Sequence, residues 1–425
     1  MIQNRFFCVF SLHITINVLT LQRKIINSNS NNNYRNMAVK ILSVDDELDL
    51  EILLTQYFRR KIRKGEYEFS FAHNGLEALK MMLEKKDFDI ILSDINMPEM
   101  DGITLLTKIN EMRNPALKCI MVSAYGDMGN IRSAMNNGAF DFATKPIDLD
   151  DLSRTIEKAI EEIEFVRKSQ QEHTQLVSIK SDLAVAGEIQ QAILPQRFPP
   201  IEEMADMVDL FATMTPAKEV GGDFIDYFKI DEKRLGFVIA DVSGKGVPAS
   251  IFMAVSRTLL RATGMRGIDT NECLNYVNNM LCHESIDSMF VTVFYGIYNT
   301  ETGLVEYTNA GHNPPYVVRA DGTVDALPMS ENIVAGMFDD FTFTQSTLQL
   351  DKGDMLVLFT DGVTEAFNTS GEMFDEKGLE TTLENKGAGK SSHDICQEIL
   401  KDVNDFSGKE PQSDDITLMA IRRLE

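Results

Sequence analysis

Five short apolar runs, spaced so that a helix fits between successive ones, most constrain what this chain can fold into. Val39–Val44, Tyr67–Ala72, Asp89–Ser93, Lys118–Ser123 and Ala139–Ala143 read as strands, and the segments between them carry helical periodicity. Such alternation predicts an α/β unit, a doubly wound five-stranded parallel sheet, because each crossover must return over one face. Ligands of these sheets sit at the strand C-terminal ends. Those ends are chemically marked here: the first run leads into Asp45-Asp46, the third into Asp94, the fourth ends in Ser123, and Lys145-Pro146 follows the fifth. Three carboxylates at one edge repel one another unless a cation joins them, while the hydroxyl is a donor and the lysine neutralises added anionic charge.

This set resembles the receiver domain of bacterial response regulators, most specifically at Ile91-Leu92-Ser93-Asp94-Ile95-Asn96-Met97-Pro98-Glu99-Met100-Asp101-Gly102. The resemblance implies that Asp94 accepts a phosphoryl group. It implies Mg²⁺ held by Asp46, the Asp94 side chain and the Asn96 carbonyl, with Asp45 reaching it through water. Ser123 and Lys145 would bind the incoming phosphoryl group, and Phe142 would change rotamer with Ser123. The implied partner is a cognate histidine kinase or another phosphodonor.

Downstream, Leu149 to about Pro195 holds no glycine before Gly187 and no proline before Pro195, so one long helix or two abutting ones are predicted. Leu176, Ile179, Leu183, Ala186, Gln190 and Ile193 step by threes and fours, a coiled-coil seam, although Arg167 to Gln175 interrupts the apolar stripe. Two readings stand: a packed amphipathic helix, or a dimerising helix that carries a signal between domains and makes the protein a homodimer. Upstream, Phe6 to Leu21 is apolar but short and broken by Ser11, His13, Thr15 and Asn17, and Asn27 to Asn36 is low-complexity. Residues 1–36 are therefore expected to be a disordered or misassigned extension, with a membrane tether as the second reading. The expected organisation is 37–150 receiver, 151–195 helical linker and 196–425 a second domain.

Beyond Pro195 the texture changes to hairpins. Met289–Tyr298 and Leu304–Asn309 join through Thr302-Gly303, and Pro315–Arg319 leads into Asp321-Gly322 and a further strand. Helical patterns cover Pro248–Arg261 and Thr270–His283. An α+β domain follows, an antiparallel β-sandwich flanked by helices. Its acids stand at turns and strand ends: Asp223 after Gly221-Gly222, Asp241 closing the run Leu235–Ala240, Asp361 after Met355–Thr360, and Asp414-Asp415 heading the last strand. Gly244-Lys245-Gly246 is not a phosphate-cradling P-loop, since Ile239 and Gly246 occupy the positions that need glycine and Ser/Thr. No His/Cys cluster accompanies the acids, so all-oxygen ligation of Mg²⁺ or Mn²⁺ is expected, and several crowded carboxylates call for two cations. Two such metals can activate water and stabilise in-line attack on phosphorus.

Gly-Gly-Asp-Phe at 221–224, Asp-Val-Ser-Gly-Lys-Gly at 241–246, Ala-Gly-His-Asn-Pro at 310–314, Phe-Thr-Asp-Gly-Val-Thr-Glu at 359–365 and Asp-Asp-Ile-Thr at 414–417 resemble the metal-dependent (PPM) protein phosphatases. The likeness is to the branch of the sporulation stage II phosphatase E and stress-response phosphatases, and it includes Ile189 to Pro195. It implies a serine/threonine phosphatase with catalytic residues Asp223, Asp241, Asp361 and Asp414. Asp241 would bridge the metals, Asp223 and the Val242 carbonyl would complete one site, and Asp361 with Asp414 the other. Asp415 would stand behind them, or exchange roles with Asp414. Where wider members carry a histidine proposed to protonate the leaving group, this chain has Ser243; His312, Lys218 and Lys245 are the nearby candidates left outside the catalytic set. The implied substrate is a phosphoprotein, an anti-sigma-factor antagonist in a partner-switching pathway.

Composition narrows the alternatives. A net charge of −24 excludes a nucleic-acid surface, and five cysteines without metal or disulfide spacing point to a reducing, cytoplasmic setting. A diguanylate cyclase would need an acid between Asp223 and Phe224. A receiver-controlled adaptor with a degenerate phosphatase fold is the alternative from another class, and the retention of all four acids argues against it.

Overall fold

The protein is described by a computed structural model over residues 38–424, apart from 86, 125–127, 196–203, 205 and 285–288. The N-terminal extension lies outside the described residues. The chain divides into two compact units that part between Leu176 and Val177.

The first unit runs β1 (Val39–Val44), α1 (Leu48–Tyr57), α2 (Arg59–Arg63), β2 (Tyr67–Ala72), α3 (Gly75–Glu84), β3 (Ile90–Asp94), α4 (Gly102–Glu111), β4 (Lys118–Ala124), α5 (Met128–Asn136) and β5 (Asp141–Lys145). The strands pair in parallel in the order β2-β1-β3-β4-β5. Alternation divides each strand between two cores: Leu42, Val44, Ile91 and Met121 face one side, Ile41, Ile90, Leu92 and Ile120 the other. Helix starts follow capping chemistry, with Asn74 accepting from Glu77 N and Asp101 from Thr104 N. The fifth strand ends at Lys145 rather than Ala143, because its register with β4 continues through Ser123↔Thr144 and Ala124↔Lys145.

Helix α6 (Leu149–Ile193) is one continuous element. Its first turns bury Leu152, Ile156, Ala159 and Ile163 against the sheet face carrying Ile90 and Ile120, and Arg167 closes this stretch with a 2.5 Å bond to Asp89. Its last turns belong to the second unit. There Gly187, Gln190 and Leu194 are buried, and a Cβ on Gly187 would lie 2.2 Å from the Glu219 carbonyl. The coiled-coil seam read from the sequence is therefore not one free stripe. Gln190 faces its own domain while Leu176, Ile179, Ile189 and Ile193 stay exposed, because an α-helix turns by 3.6 residues and drifts off a 3.5-residue seam.

The second unit contains β6 (Val208–Thr215), β7 (Phe224–Lys229), β8 (Arg234–Val242), α7 (Val247–Gly264), α8 (Thr270–Glu284), β9 (Val291–Asn299), β10 (Leu304–Ala310), β11 (Tyr316–Val318), β12 (Val324–Ala326), β13 (Ser346–Gln349), β14 (Met355–Phe359), α9 (Asp361–Thr364), α10 (Asp375–Lys386), α11 (Ser392–Ser407) and β15 (Ile416–Arg423). Two five-stranded antiparallel sheets form, β13-β10-β9-β8-β7 and β12-β11-β14-β15-β6. Their inner faces meet through Ile225, Phe237, Ile239, Phe294, Leu356, Leu358, Met419 and Ile421. Helices α7 and α8 cover the outer face of the first sheet, α10 and α11 that of the second. Each fully buried aliphatic or aromatic side chain in these layers contributes about 1.5–3 kcal/mol. No helix among the described residues is long and apolar enough to cross a membrane.

Candidate active site and receiver pocket

Strand parity builds the phosphatase-like site. Ile225 and Tyr227 of β7 point between the sheets, so two residues earlier Asp223 does too; Phe237 and Ile239 set the same parity for Asp241. In the second sheet Leu356 and Leu358 lead to Thr360, and Ile421 and Met419 lead back to Thr417 and Asp415. One end of the sandwich thus collects polar groups from both sheets.

The contacts follow from that placement. Asp223, only 2% exposed, accepts from the Thr360 hydroxyl at 2.7 Å and the Thr417 hydroxyl at 2.6 Å, both from the opposite sheet. Asp415 accepts backbone N–H bonds from Ala217 (2.8 Å), Gly222 (2.7 Å) and Asp223 (3.4 Å), clamping the turn that carries Asp223. Gln190 reaches the same turn from α6, donating to the Gly221 carbonyl at 2.7 Å and accepting from its N–H at 3.0 Å. The glycines are required by close approach. A Cβ on Gly221 would lie 2.3 Å from an Asp415 oxygen, and one on Gly362 would lie 2.0 Å from the Asp415 carbonyl. Gly222 brings its backbone beside the Val242 carbonyl, 3.0 Å from where a Cβ would sit.

Electrostatics show what these acids lack. Burial, then the charge of Asp241, pushes the Asp223 carboxyl well above its usual range, against the Thr417 and Thr360 hydroxyls that favour its anion. Burial and the charge of Asp361 push Asp241 up to about 7, and burial with the charge of Asp414 pushes Asp361 to about 6. Acids so placed hold protons near neutrality unless cations replace them. An all-oxygen set of this kind fits hard divalent cations.

The other candidates take different roles. His312 is buried, shares a 2.9 Å bond between Nδ1 and the Thr292 hydroxyl, and receives support from the Asn309 amide. Burial lowers its pKa to about 4, so it is a neutral packing partner of the strand beside Asp241 rather than a proton store. Ser243 extends the pairing of β8 with β9, its hydroxyl accepting from Phe290 N at 3.0 Å. Lys218 is exposed, and Lys245 pairs with Asp414 at 2.6 Å.

In the first unit, Asp94 and Asp45 are buried at the C-terminal edge of the parallel sheet, where Lys145 lies 2.7 Å from Asp94, 2.9 Å from Asp45 and 3.0 Å from Glu47. Burial alone would lower the Lys145 pKa; the hydrogen bonds to Asp94, Asp45 and Glu47 override it and raise it. Burial raises the Asp45 carboxyl, which the Glu47 amide and Lys145 partly offset. Asp45, Glu47 and Asp94 offer oxygens within 4.8 Å of one another, whereas Asp46 and Asn96 are exposed at the rim. The Asn96 N–H reaches back to Asp94 Oδ1 at 3.3 Å. Ser123 Oγ is buried without a hydrogen-bond partner among the described residues, a donor suited to an added anionic oxygen. Phe142 is half-buried on β5. A Cβ on Gly102 would lie 2.0 Å from the Asp94 carbonyl, which fixes the loop after the acceptor.

Comparison with known proteins gives the family. Residues 41–157 match the response regulator receiver domain, and residues 231–424 match stage II sporulation protein E (SpoIIE). The phosphoserine phosphatase RsbU of Bacillus subtilis is 32% identical over 269 residues, 62% of this chain and 75% of RsbU. The chain belongs to the SpoIIE phosphatase family. It is a response regulator whose output is a PPM-type serine/threonine phosphatase. Protein IcfG of Synechocystis is 32% identical over 270 residues, 57% of this chain and 41% of that protein. The fold is shared with the SiaA PP2C domain of Pseudomonas aeruginosa, which aligns over 98% of its length and 59% of this chain with a TM-score of 0.51 at 20% identity.

Sequence reasoning passed over Thr360, Thr417, Gln190 and Glu47. Parity could have flagged the threonines, which stand two residues beyond inward-facing Leu358 and Met419. Nothing local could have flagged Gln190, whose partner lies 31 residues away.

Proposed function

We propose that this protein removes phosphate from phosphoserine or phosphothreonine of a protein substrate in a partner-switching pathway, under control of phosphorylation at Asp94. The convergence of Asp223 and Asp241 from one sheet with Asp361 and Asp414 from the other supports this most directly. Two divalent cations would be held by Asp223, the Val242 carbonyl, Asp361 and Asp414, with Asp241 serving both. Mn²⁺ or Mg²⁺ bound there supplies water activation and offsets the phosphate charge. The protein's own part is to orient the acids. Thr360 and Thr417 fix the Asp223 carboxylate, Asp415 and Gln190 fix its turn, and Thr292 with His312 buttresses the strand that ends at Asp241.

In the receiver, Asp45, Asp46, Asp94 and the Asn96 carbonyl would hold Mg²⁺, and Lys145 with the unpartnered Ser123 hydroxyl would receive the oxygens of a phosphoryl group on Asp94. An anti-sigma-factor antagonist is the substrate class that the family relation supports. The exposed Leu176 and Ile179 of α6 favour a homodimer through that helix.

The test is phosphate release from a phosphoserine protein with Mn²⁺, with and without acetyl phosphate. Metal-dependent turnover lost in Asp361→Asn is expected, together with a response to acetyl phosphate that Asp94→Asn removes. Turnover absent from the parent protein in both receiver states would overturn the catalytic reading and favour an adaptor. A rate indifferent to both Asp94→Asn and acetyl phosphate would overturn the control.

A further inference from the structure

Lys245 occupies a carboxylate that the proposed chemistry needs free. Its ammonium lies 2.6 Å from Asp414 Oδ2 and 2.8 Å from the Ser413 carbonyl. The lysine comes from the turn between β8 and α7 and the aspartate from the head of β15, so the pair ties the two sheets across the site. The turn is shaped to present it. Gly244 and Gly246 hold φ of +90° and +78° with nothing within 4 Å of an added Cβ, so they are glycine for backbone conformation rather than for space. The lysine side chain is 47% exposed and that of Asp414 29%, which leaves the carboxylate open to an ion from solvent and the lysine free to swing away. The same arrangement recurs in the receiver, where Lys145 stands on Asp45 and Asp94.

We propose that Lys245 is a built-in, exchangeable counter-ion for Asp414. Its ammonium holds the carboxylate in the ion-free enzyme and must be displaced for a divalent cation to bind there, so the residue sets the cation affinity of the site. A lysine suits this role as a compact point charge on a flexible stem, with none of the bidentate grip of an arginine. One ammonium also balances only part of the charge of Asp241, Asp361 and Asp414 together, which lets a divalent ion win the exchange. The inference rests on Asp414 being a cation ligand.

The test is calorimetric titration of the full chain with Mn²⁺, all proteins carrying Asp45→Asn, Asp46→Asn and Asp94→Asn so that the receiver's metal-holding carboxylates do not contribute. Added Lys245→Gln is expected to tighten one binding step by about two- to fivefold, the worth of a part-exposed ion pair. Lys245→Arg is expected to give no such tightening, which separates loss of charge from loss of bulk, and Asp414→Asn to lose the step. An unchanged or weakened affinity in Lys245→Gln, with the step still lost in Asp414→Asn, overturns the proposal and leaves the metal reading standing. If Asp414→Asn keeps the step, Asp414 is not a ligand and both fall.

Discussion

With divalent cations removed by a chelator, the phosphatase domain is expected to lose stability as pH rises. Burial, and then the charge of Asp361, moves the Asp241 carboxyl from its ordinary 3.8 to about 7. Between those values the native state keeps a proton that the unfolded chain has released, so each step up in pH favours unfolding. The contribution is fully present below about pH 4 and is lost as pH climbs through about 7. About three pH units at about 1.4 kcal/mol each give about 4 kcal/mol. For a domain of this size that is about 8–16 °C in thermal midpoint. Asp361, raised to about 6, acts in the same direction but is part-exposed and adds less. The assay is calorimetric melting from pH 4.5 to 8 in chelator, taken as the difference between the parent protein and Asp241→Asn, which cancels the titration of the rest of the chain. Saturating Mn²⁺ should flatten or reverse the trend, because the ion binds the deprotonated form. Parallel curves for parent and variant in chelator would refute the reasoning.

Asp415→Ala would leave the buried amide of Gly222 and the part-buried amide of Ala217 without their acceptor, and a loss of about 2–4 kcal/mol on denaturant unfolding is expected, together with loss of phosphate release. Gly362→Ala would drive a Cβ into the Asp415 carbonyl, and a fall in turnover of about 10²-fold is expected from displacement of Asp361. Arg167→Ala would deprive buried Asp89 of its guanidinium partner, costing the receiver about 1–3 kcal/mol by thermal melting.

Much of the fold was legible because it rests on local signals. The continuous apolar runs of β8 and β14 and the helix-length gaps in the receiver are each written in a few consecutive residues. Boundaries were less legible where pairing decides them, as at β5, which runs to Lys145 because β4 offers it a partner through Ala124. The linker was legible as a helix but not in which face it uses. Gln190 fits an apolar seam by spacing, yet its amide turns inward to pair with Gly221.

By itself the sequence determined which residues carry charge and hydroxyl groups at strand ends, and so which chemistry each domain has the means to perform. Only the tertiary structure decided which of them meet. Asp223 and its two threonine donors are 137 and 194 residues apart in the chain, and packing of two sheets face to face brings them within hydrogen-bond reach. Burial, a property of the packed sandwich, then sets their protonation, because a carboxylate removed from water keeps its charge only where a cation or a donor stands beside it.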